Sequence, residues 1–306
     1  MLILIMSNDS LILLNLTKFC VAYKLCVIKT NTQRGDVMAV SLKNGYLKQL
    51  QNSVPTKKRA KQIVILNLMP NRLETEKQFA SIFNDLDGDV ELTFMYAATH
   101  HFKGVARDEI AKTYVNLAQI DQQYFDGLII TGAPVEKLDY AQVDYFAEFR
   151  AILRWAKTHV NQTLLECWAA QAGLNHYYAT KKYVLPQKLF GVFGDEVTGI
   201  TTLTKGIGQF IVPHSRHSNV LVKQHVDLKI LIKDAVAGPV LLQDVKRRVT
   251  FMQGHPEYFA DTLWHEFERD LRAGKQVAVP QNYEKSSGNW LETSHKFYQN
   301  WLDLMR

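Results

Sequence analysis

QTLLECWAAQAGLN, residues 162–175, carries two kinds of pattern in one short stretch. Leu164 and Leu165 end an apolar run of the length and type that a buried strand shows, and from Trp168 onward the small and apolar residues are those of a helix. Cys167 stands at the changeover. A strand that turns straight into a helix lifts the residue at the turn above the sheet edge, and the helix N-terminus behind it favours thiolate over thiol. Free cysteine is also among the residue types most often buried for packing alone, so Cys167 is a candidate nucleophile only if a base can be found for it.

The same alternation extends in both directions. IVILNLMP (residues 63–70) is a largely apolar run stopped by Pro70, and residues 72–85 follow with Phe79, Ile82 and Phe83 at helical spacing behind Glu74 and Glu76, negative charges suited to a first helical turn. Strands are expected at 90–96, 125–131, 162–167, 197–203, 210–213, 228–233, 239–242 and 249–253. Helices are expected at 106–117, 143–159, 168–180, 261–273 and 288–304. Apolar strands alternating with helices predict an α/β fold, a mostly parallel sheet sandwiched by helices, with ligands at the carboxyl ends of the strands. Residues 63–306 read as one catalytic domain and residues 1–62 as an N-terminal extension, its last part (40–61) a polar, basic arm.

A base for Cys167 is available at that edge. Gly254-His255-Pro256-Glu257 directly follows the strand-like VTFMQ, which puts His255 on a loop at a strand end and Glu257 within reach to orient its ring. Thr131-Gly132-Ala133-Pro134 also follows a buried strand; the Gly132 and Ala133 backbone, with the Trp168 amide, could face an oxyanion. A plain turn is equally consistent with its Gly and Pro. There is no phosphate loop, dinucleotide fingerprint or HExxH, and the spacings in His100-His101 and Pro213-His-Ser-Arg-His217 match no standard zinc site, so no metal and no cofactor is expected.

Composition narrows the class. With 306 residues, 47% hydrophobic and 22% charged, the chain is globular, neither disordered nor fibrous. Its net charge of +6 invites a nucleic-acid reading, but residues 1–62 hold ten Lys/Arg against two Asp/Glu, and the remainder 26 against 28. The body is slightly acidic, so no polyanion partner is expected. Three cysteines, Cys20, Cys26 and Cys167, form no disulfide framework and fit a reducing, cytoplasmic home. Residues 1–28 are apolar but interrupted by polar residues and Lys18, with no basic region ahead of them, so no membrane insertion is expected. A second reading of this segment is that translation starts at Met38, with residues 1–37 as upstream sequence read in frame.

Six blocks resemble the homoserine O-acyltransferase family of methionine biosynthesis: ILNLMPNRLETE (65–76), FDGLIITGAPVE (125–136), CWAAQAGLNHYY (167–178), LPQKLFGVF (185–193), VPHSRH (212–217) and GHPEY (254–258). The resemblance implies a fold like that of class I glutamine amidotransferase domains, flavodoxin-like in outline, and a homodimer acting on small molecules. It implies that Cys167 takes the acyl group from acyl-CoA as a thioester, that His255 is the general base and that Glu257 orients it. Lys188 and Ser215 match substrate-binding positions, and Arg269 matches the arginine that pairs with the amino acid's carboxylate; by spacing alone Arg269 could instead pair with Glu266.

Glu136 matches the position that sorts acyl donors. Glycine there leaves room for succinyl, whereas glutamate fills the space and repels succinyl's free carboxylate, so acetyl-CoA is the expected donor. The expected acceptor is L-homoserine, with serine the alternative, since one methylene is worth only about 1 to 3 kcal/mol of discrimination. The chain departs from the family in Asn71-Arg72, where a lysine pair is common, in its N-terminal arm and in its C-terminal run, 286–301. Two other readings remain open on the same fold. A glutamine amidotransferase-like hydrolase would usually carry Gly on both sides of the cysteine, unlike Glu166-Cys167-Trp168, and a non-catalytic binding module would have no use for the Cys167, His255 and Glu257 set.

Overall fold

The computed structural model describes residues 40–50, 60–102 and 107–305. The expectations for residues 1–37, a start at Met38 and the two N-terminal cysteines included, lie outside them.

In chain order the elements are β1 (Val40–Leu42), α1 (Tyr46–Leu50), β2 (Lys61–Leu66), α2 (Arg72–Asn84), β3 (Val90–Met95), α3 (Arg107–Thr113), α4 (Leu117–Ile120), β4 (Phe125–Ile130), α5 (Phe146–His159), β5 (Val160–Glu166), α6 (Trp168–Tyr178), β6 (Lys181–Glu196), β7 (Gln209–Leu221), β8 (Lys229–Asp234), β9 (Gly238–Asp244), β10 (Val249–Met252), α7 (Thr262–Arg272) and α8 (Leu291–Asp303). The main sheet runs β1-β3-β2-β4-β5-β10-β9-β8. It is parallel from β1 through β10, and β9 and β8 close one edge in antiparallel fashion. The α/β architecture expected from the sequence is therefore present.

Period-two alternation sorts the side chains of the strands onto two cores. Ile63 and Ile65 of β2 join Phe79, Ile82 and Phe83 of α2 and Phe297, Tyr298 and Trp301 of α8. Val64 and Leu66 join Phe149, Ile152 and Leu153 of α5 and Trp168, Ala169 and Ala172 of α6. Layer contacts are tight enough to require glycine. A Cβ on Gly173 of α6 would stand 2.2 Å from the Leu165 side chain of β5, and one on Gly127 of β4 would stand 2.6 Å from Trp301. Among the described residues no helix is long and apolar enough to cross a membrane.

Three expectations change. Residues 197–203 form no strand: Ile200 is 92% exposed and only a short 3-10 turn (Thr202–Thr204) is present. The strand lies just before it, in β6, which pairs antiparallel with a β7 much longer than expected. This ribbon forms a sheet of its own and the first half of β6 is open to solvent, so that strand does not show a sustained buried apolar run; Pro186 falls in the register break between Val184 and Leu189.

The basic arm is also shorter than expected, because Val40–Leu42 pairs in register with Val90–Leu92 and so belongs to the sheet. Glu76, finally, falls outside the first turn of α2, which holds Glu74 alone of the two. It is fully buried, and its carboxylate accepts from the Tyr46 and Leu47 amides at 3.0 and 2.6 Å and from the Tyr114 hydroxyl at 2.7 Å. It thereby caps the N-terminus of α1 from a neighbouring helix. Glu76→Ala strands those donors, and urea unfolding should show a loss of about 3 kcal/mol.

Candidate active site

The site begins with two neighbouring strands that end level. β5 and β10 run parallel with Glu166 opposite Met252, and the ladder continues one residue further, where the Cys167 amide donates to the Met252 carbonyl at 2.7 Å. At Cys167 the chain turns with φ 48° and ψ −113°, a conformation that a residue with a Cβ seldom adopts. The Gln171 amide bonds back to the Cys167 carbonyl at 3.2 Å and α6 begins. Trp168 is its first residue, whose amide has no carbonyl one turn behind it to meet.

His255 reaches the same point from β10. Gly254 has no space for a side chain, since a Cβ would lie 2.5 Å from Val212 and 2.8 Å from the Pro213 carbonyl oxygen. The His255 amide then donates to that Pro213 oxygen at 2.8 Å, which fastens the loop to β7. Its Nδ1 lies 2.7 Å from Glu257 Oε1, which leaves Nε2 for the hydrogen bond to the Cys167 sulfur. The ring stacks on Tyr258 at 4.4 Å between centroids. Cys167, His255 and Glu257 are all buried, with 6%, 3% and 4% exposure. Burial opposes a charged imidazole, but the Cys167 sulfur and the Glu257 carboxylate outweigh it and hold the His255 pKa well above the ordinary histidine range. The ring is thus arranged to keep its proton beside the Cys167 sulfur.

The loop after β4 closes over this pair. A Cβ on Gly132 would sit 3.1 Å from His255 Cε1, 3.2 Å from Cys167 Cβ and 3.7 Å from the sulfur, so its backbone passes directly against both. Ala133 beside it is buried. Glu136 is half-buried further along the loop, close enough for its charge to be felt at Tyr145, Lys182 and His217.

A second cluster lies beyond Tyr258. The Tyr258 hydroxyl donates to Glu266 Oε1 at 2.7 Å, and the Ser215 hydroxyl donates to Glu266 Oε2 at 2.5 Å. Lys188 Nζ stands 3.5 Å from Glu266 and 3.4 Å from Asp270, over the Phe190 ring. Arg269 does not pair with Glu266; its guanidinium contacts Asp270 at 3.1 Å and is otherwise open to solvent. Although burial opposes ionisation of Asp270, bonds from Lys275 and Arg269 and the Lys188 charge draw its pKa down to about 2. Lys188, Ser215 and Arg269, 81 residues apart at the extremes, therefore meet around one pair of carboxylates.

Sequence reasoning misses Tyr258, Glu266 and Asp270, although Glu266 and Asp270 share a face of α7 at i,i+4 and Tyr258 ends the GHPEY block. The two histidine clusters are placed differently. His100 and His101 both meet Asp144, and His214 and His217 fall on opposite faces of β7, so they cannot share a ligand.

Known proteins resemble this chain in sequence and in fold. The model of the homoserine O-succinyltransferase family matches residues 28–306. A homoserine O-acetyltransferase of Bacillus licheniformis is 39% identical over 257 residues, covering 80% of this chain and 85% of that protein. One of Clostridium tetani is 36% identical over 259 residues, with the same shares, and a homoserine O-succinyltransferase of Edwardsiella ictaluri is 35% identical over 257 residues, covering 80% and 83%. Among solved structures, a glutamine amidotransferase of Thermotoga maritima aligns with a TM-score of 0.53 at 12% identity, over 81% of this chain and 99% of that one, which shows a shared fold. A glutamine amidotransferase of Methylobacillus flagellatus gives 0.52 at 9% identity, over 82% and 96%. With most of its length matched by one family model and a cysteine, histidine and glutamate set assembled at the strand ends, the chain belongs to the homoserine O-acyltransferase family, a group of acyl-transferring enzymes built on the glutamine amidotransferase-like fold.

Proposed function

We propose that the protein moves an acetyl group from acetyl-CoA to the hydroxyl of L-homoserine by way of a thioester on Cys167. The observation that carries this is the buried Cys167–His255–Glu257 alignment, with Glu257 2.7 Å from Nδ1, beside a cluster presenting both signs of charge.

In the first half-reaction the thiolate attacks the acetyl carbonyl, with the Trp168 amide and the backbone at Gly132 and Ala133 in position to stabilise the oxyanion. The C–S bond to CoA breaks, the imidazolium gives its proton to the departing thiolate, and free CoA leaves with acetyl-Cys167 and neutral His255 behind. Donor and intermediate are both thioesters, so the step is nearly balanced. Acylation also removes the sulfur's negative charge, one of the causes that raise the His255 pKa, and burial then favours the neutral imidazole. Losing that charge readies His255 as a base. It takes the acceptor's hydroxyl proton, the alkoxide attacks the thioester, and the O-acetyl amino acid leaves as thiolate and imidazolium are restored.

A zwitterionic amino acid needs an anion partner and a cation partner. Glu266 and Asp270 against Lys188 and Arg269 supply both. Glu136 supports acetyl over succinyl as donor, because a free carboxylate would meet its charge in a half-buried loop. Serine remains the alternative acceptor.

Rates measured for acetyl- and succinyl-CoA against homoserine and serine test the assignment: acetyl-CoA with homoserine should be fastest, with ping-pong kinetics. Cys167→Ala should abolish CoA release, and Glu257→Gln should lower kcat by about 10²-fold or more. Glu136→Gly should raise the succinyl-to-acetyl ratio of kcat/KM by about tenfold, equivalent to about 1.4 kcal/mol. A wild-type preference for succinyl-CoA would overturn the donor reading.

A further inference from the structure

Directly before the nucleophile stands a carboxylate that the reaction above does not use. Glu166 is the last residue of β5, fully buried, on the face of the sheet covered by α8. The Tyr298 hydroxyl of α8 donates to its Oε1 at 2.6 Å, while Oε2 is buried without a partner. Glu257 is in the same condition on the other side: Oε1 lies against His255, and Oε2 is buried without a partner.

The charged and titratable groups facing Glu166 are few. They are Cys167 directly after it, which also acts on the buried Arg216 guanidinium of β7, His255 and Glu257 on the loop after β10, and Tyr298 on α8. Glu257, set against the His255 imidazole, already brings one negative charge into this dry space. A second, on Glu166, would have no cation to meet it. The neighbours also decide which carboxyl holds a proton: Glu257 touches an imidazole drawn toward its charged form, whereas Glu166 touches only a phenol. Two carboxyls whose surroundings pull them apart in this way take separate roles.

We propose that Glu166 is a neutral carboxylic acid that positions the triad, held at Oε1 by Tyr298 and donating its Oε2–H toward the free Oε2 of Glu257. Glu257 is thereby kept in the plane that points its other oxygen at His255, and α8 is tied to the reacting groups without touching substrate. Burial and the Glu257 charge both act to keep that proton in place. The inference rests on the triad and the acetyl-transfer reading above.

Infrared difference spectra of the substrate-free protein, wild type minus Glu166→Gln, should show the carbonyl stretch of a protonated carboxylic acid that persists at pH 8; its absence would overturn the proposal. This readout needs no turnover. If wild type released no CoA from acetyl-CoA, the acetyl-transfer reading would fall while the band could still be read.

In the kinetic arm Glu166→Ala should lower kcat about tenfold to a hundredfold with little change in KM for acetyl-CoA. Glu166→Gln, a neutral side chain with a donor and an acceptor, should restore most of kcat with an unaltered pH profile. A displaced pH profile in Glu166→Gln would mean that a charge had been removed, and the proposal would fail. Tyr298→Phe, which keeps the buried ring, should retain the band and lower kcat without changing KM; unchanged kcat in both Tyr298→Phe and Glu166→Ala would leave Glu166 no positioning role.

Discussion

The hydrogen bond from the Cys167 amide to the Met252 carbonyl, 2.7 Å long, is the contact on which the site depends. It extends the parallel β5–β10 ladder one residue past the sheet, so the two strands end level and their exits lie side by side. Cys167 leaves one strand at its turn into α6, and His255 leaves the other after Gln253 and Gly254. A register slip of one residue would turn the end of β5 over to the opposite face and separate Cys167 from His255. The backbone strain at Cys167, with φ 48°, is held by this bond on one side and by the Gln171-to-Cys167 bond on the other.

Water exclusion gives these few charges their effect. With the triad nearly inaccessible, His255 is governed by two neighbours and by burial, so acylating the sulfur changes its proton affinity without moving an atom of the ring. The same exclusion penalises every surplus charge. A charge on Glu166, whose oxygens meet no cation, would bear that penalty in full, which limits what Glu166 can be. The second cluster follows another rule. Lys188, Arg269, Lys275, Glu266 and Asp270 are spread from buried to exposed, and their pairs can be exchanged for a charged ligand at modest cost.

What the sequence discloses follows from the range of its patterns. Apolar runs and helical spacing are local, so the parallel sheet, its helices and the Cys167 turn can be read directly. His255 and Glu257 can be read because a short motif sits at a strand end, and strand ends in such sheets share one edge. The β6–β7 ribbon cannot, since the first half of β6 is open to solvent and lacks a buried strand's signature. Glu76 misleads for a related reason: an acidic residue near a helix start reads as a first-turn charge until the chain from 40 to 50 is seen to fold onto it. Glu166 and Tyr298 are 132 residues apart, and no local pattern connects them.

The ribbon that the sequence hides contributes to both halves of the site. Its Pro213 carbonyl holds the His255 loop, its Ser215 and Lys188 hold Glu266, and between these Tyr258 stacks on His255 and bonds to Glu266. Base and charged cluster are therefore not independent attachments to the sheet. They are joined through one aromatic ring and braced against one pair of strands. An amino acid held by Lys188, Ser215 and the carboxylates of α7 would be registered against the same Tyr258 that fixes the plane of the imidazole, so the distance from its hydroxyl to Nε2 would be set by rigid contacts rather than by a mobile loop. That arrangement makes chain length, the single methylene between serine and homoserine, a question of reach from a fixed anchor to a fixed base.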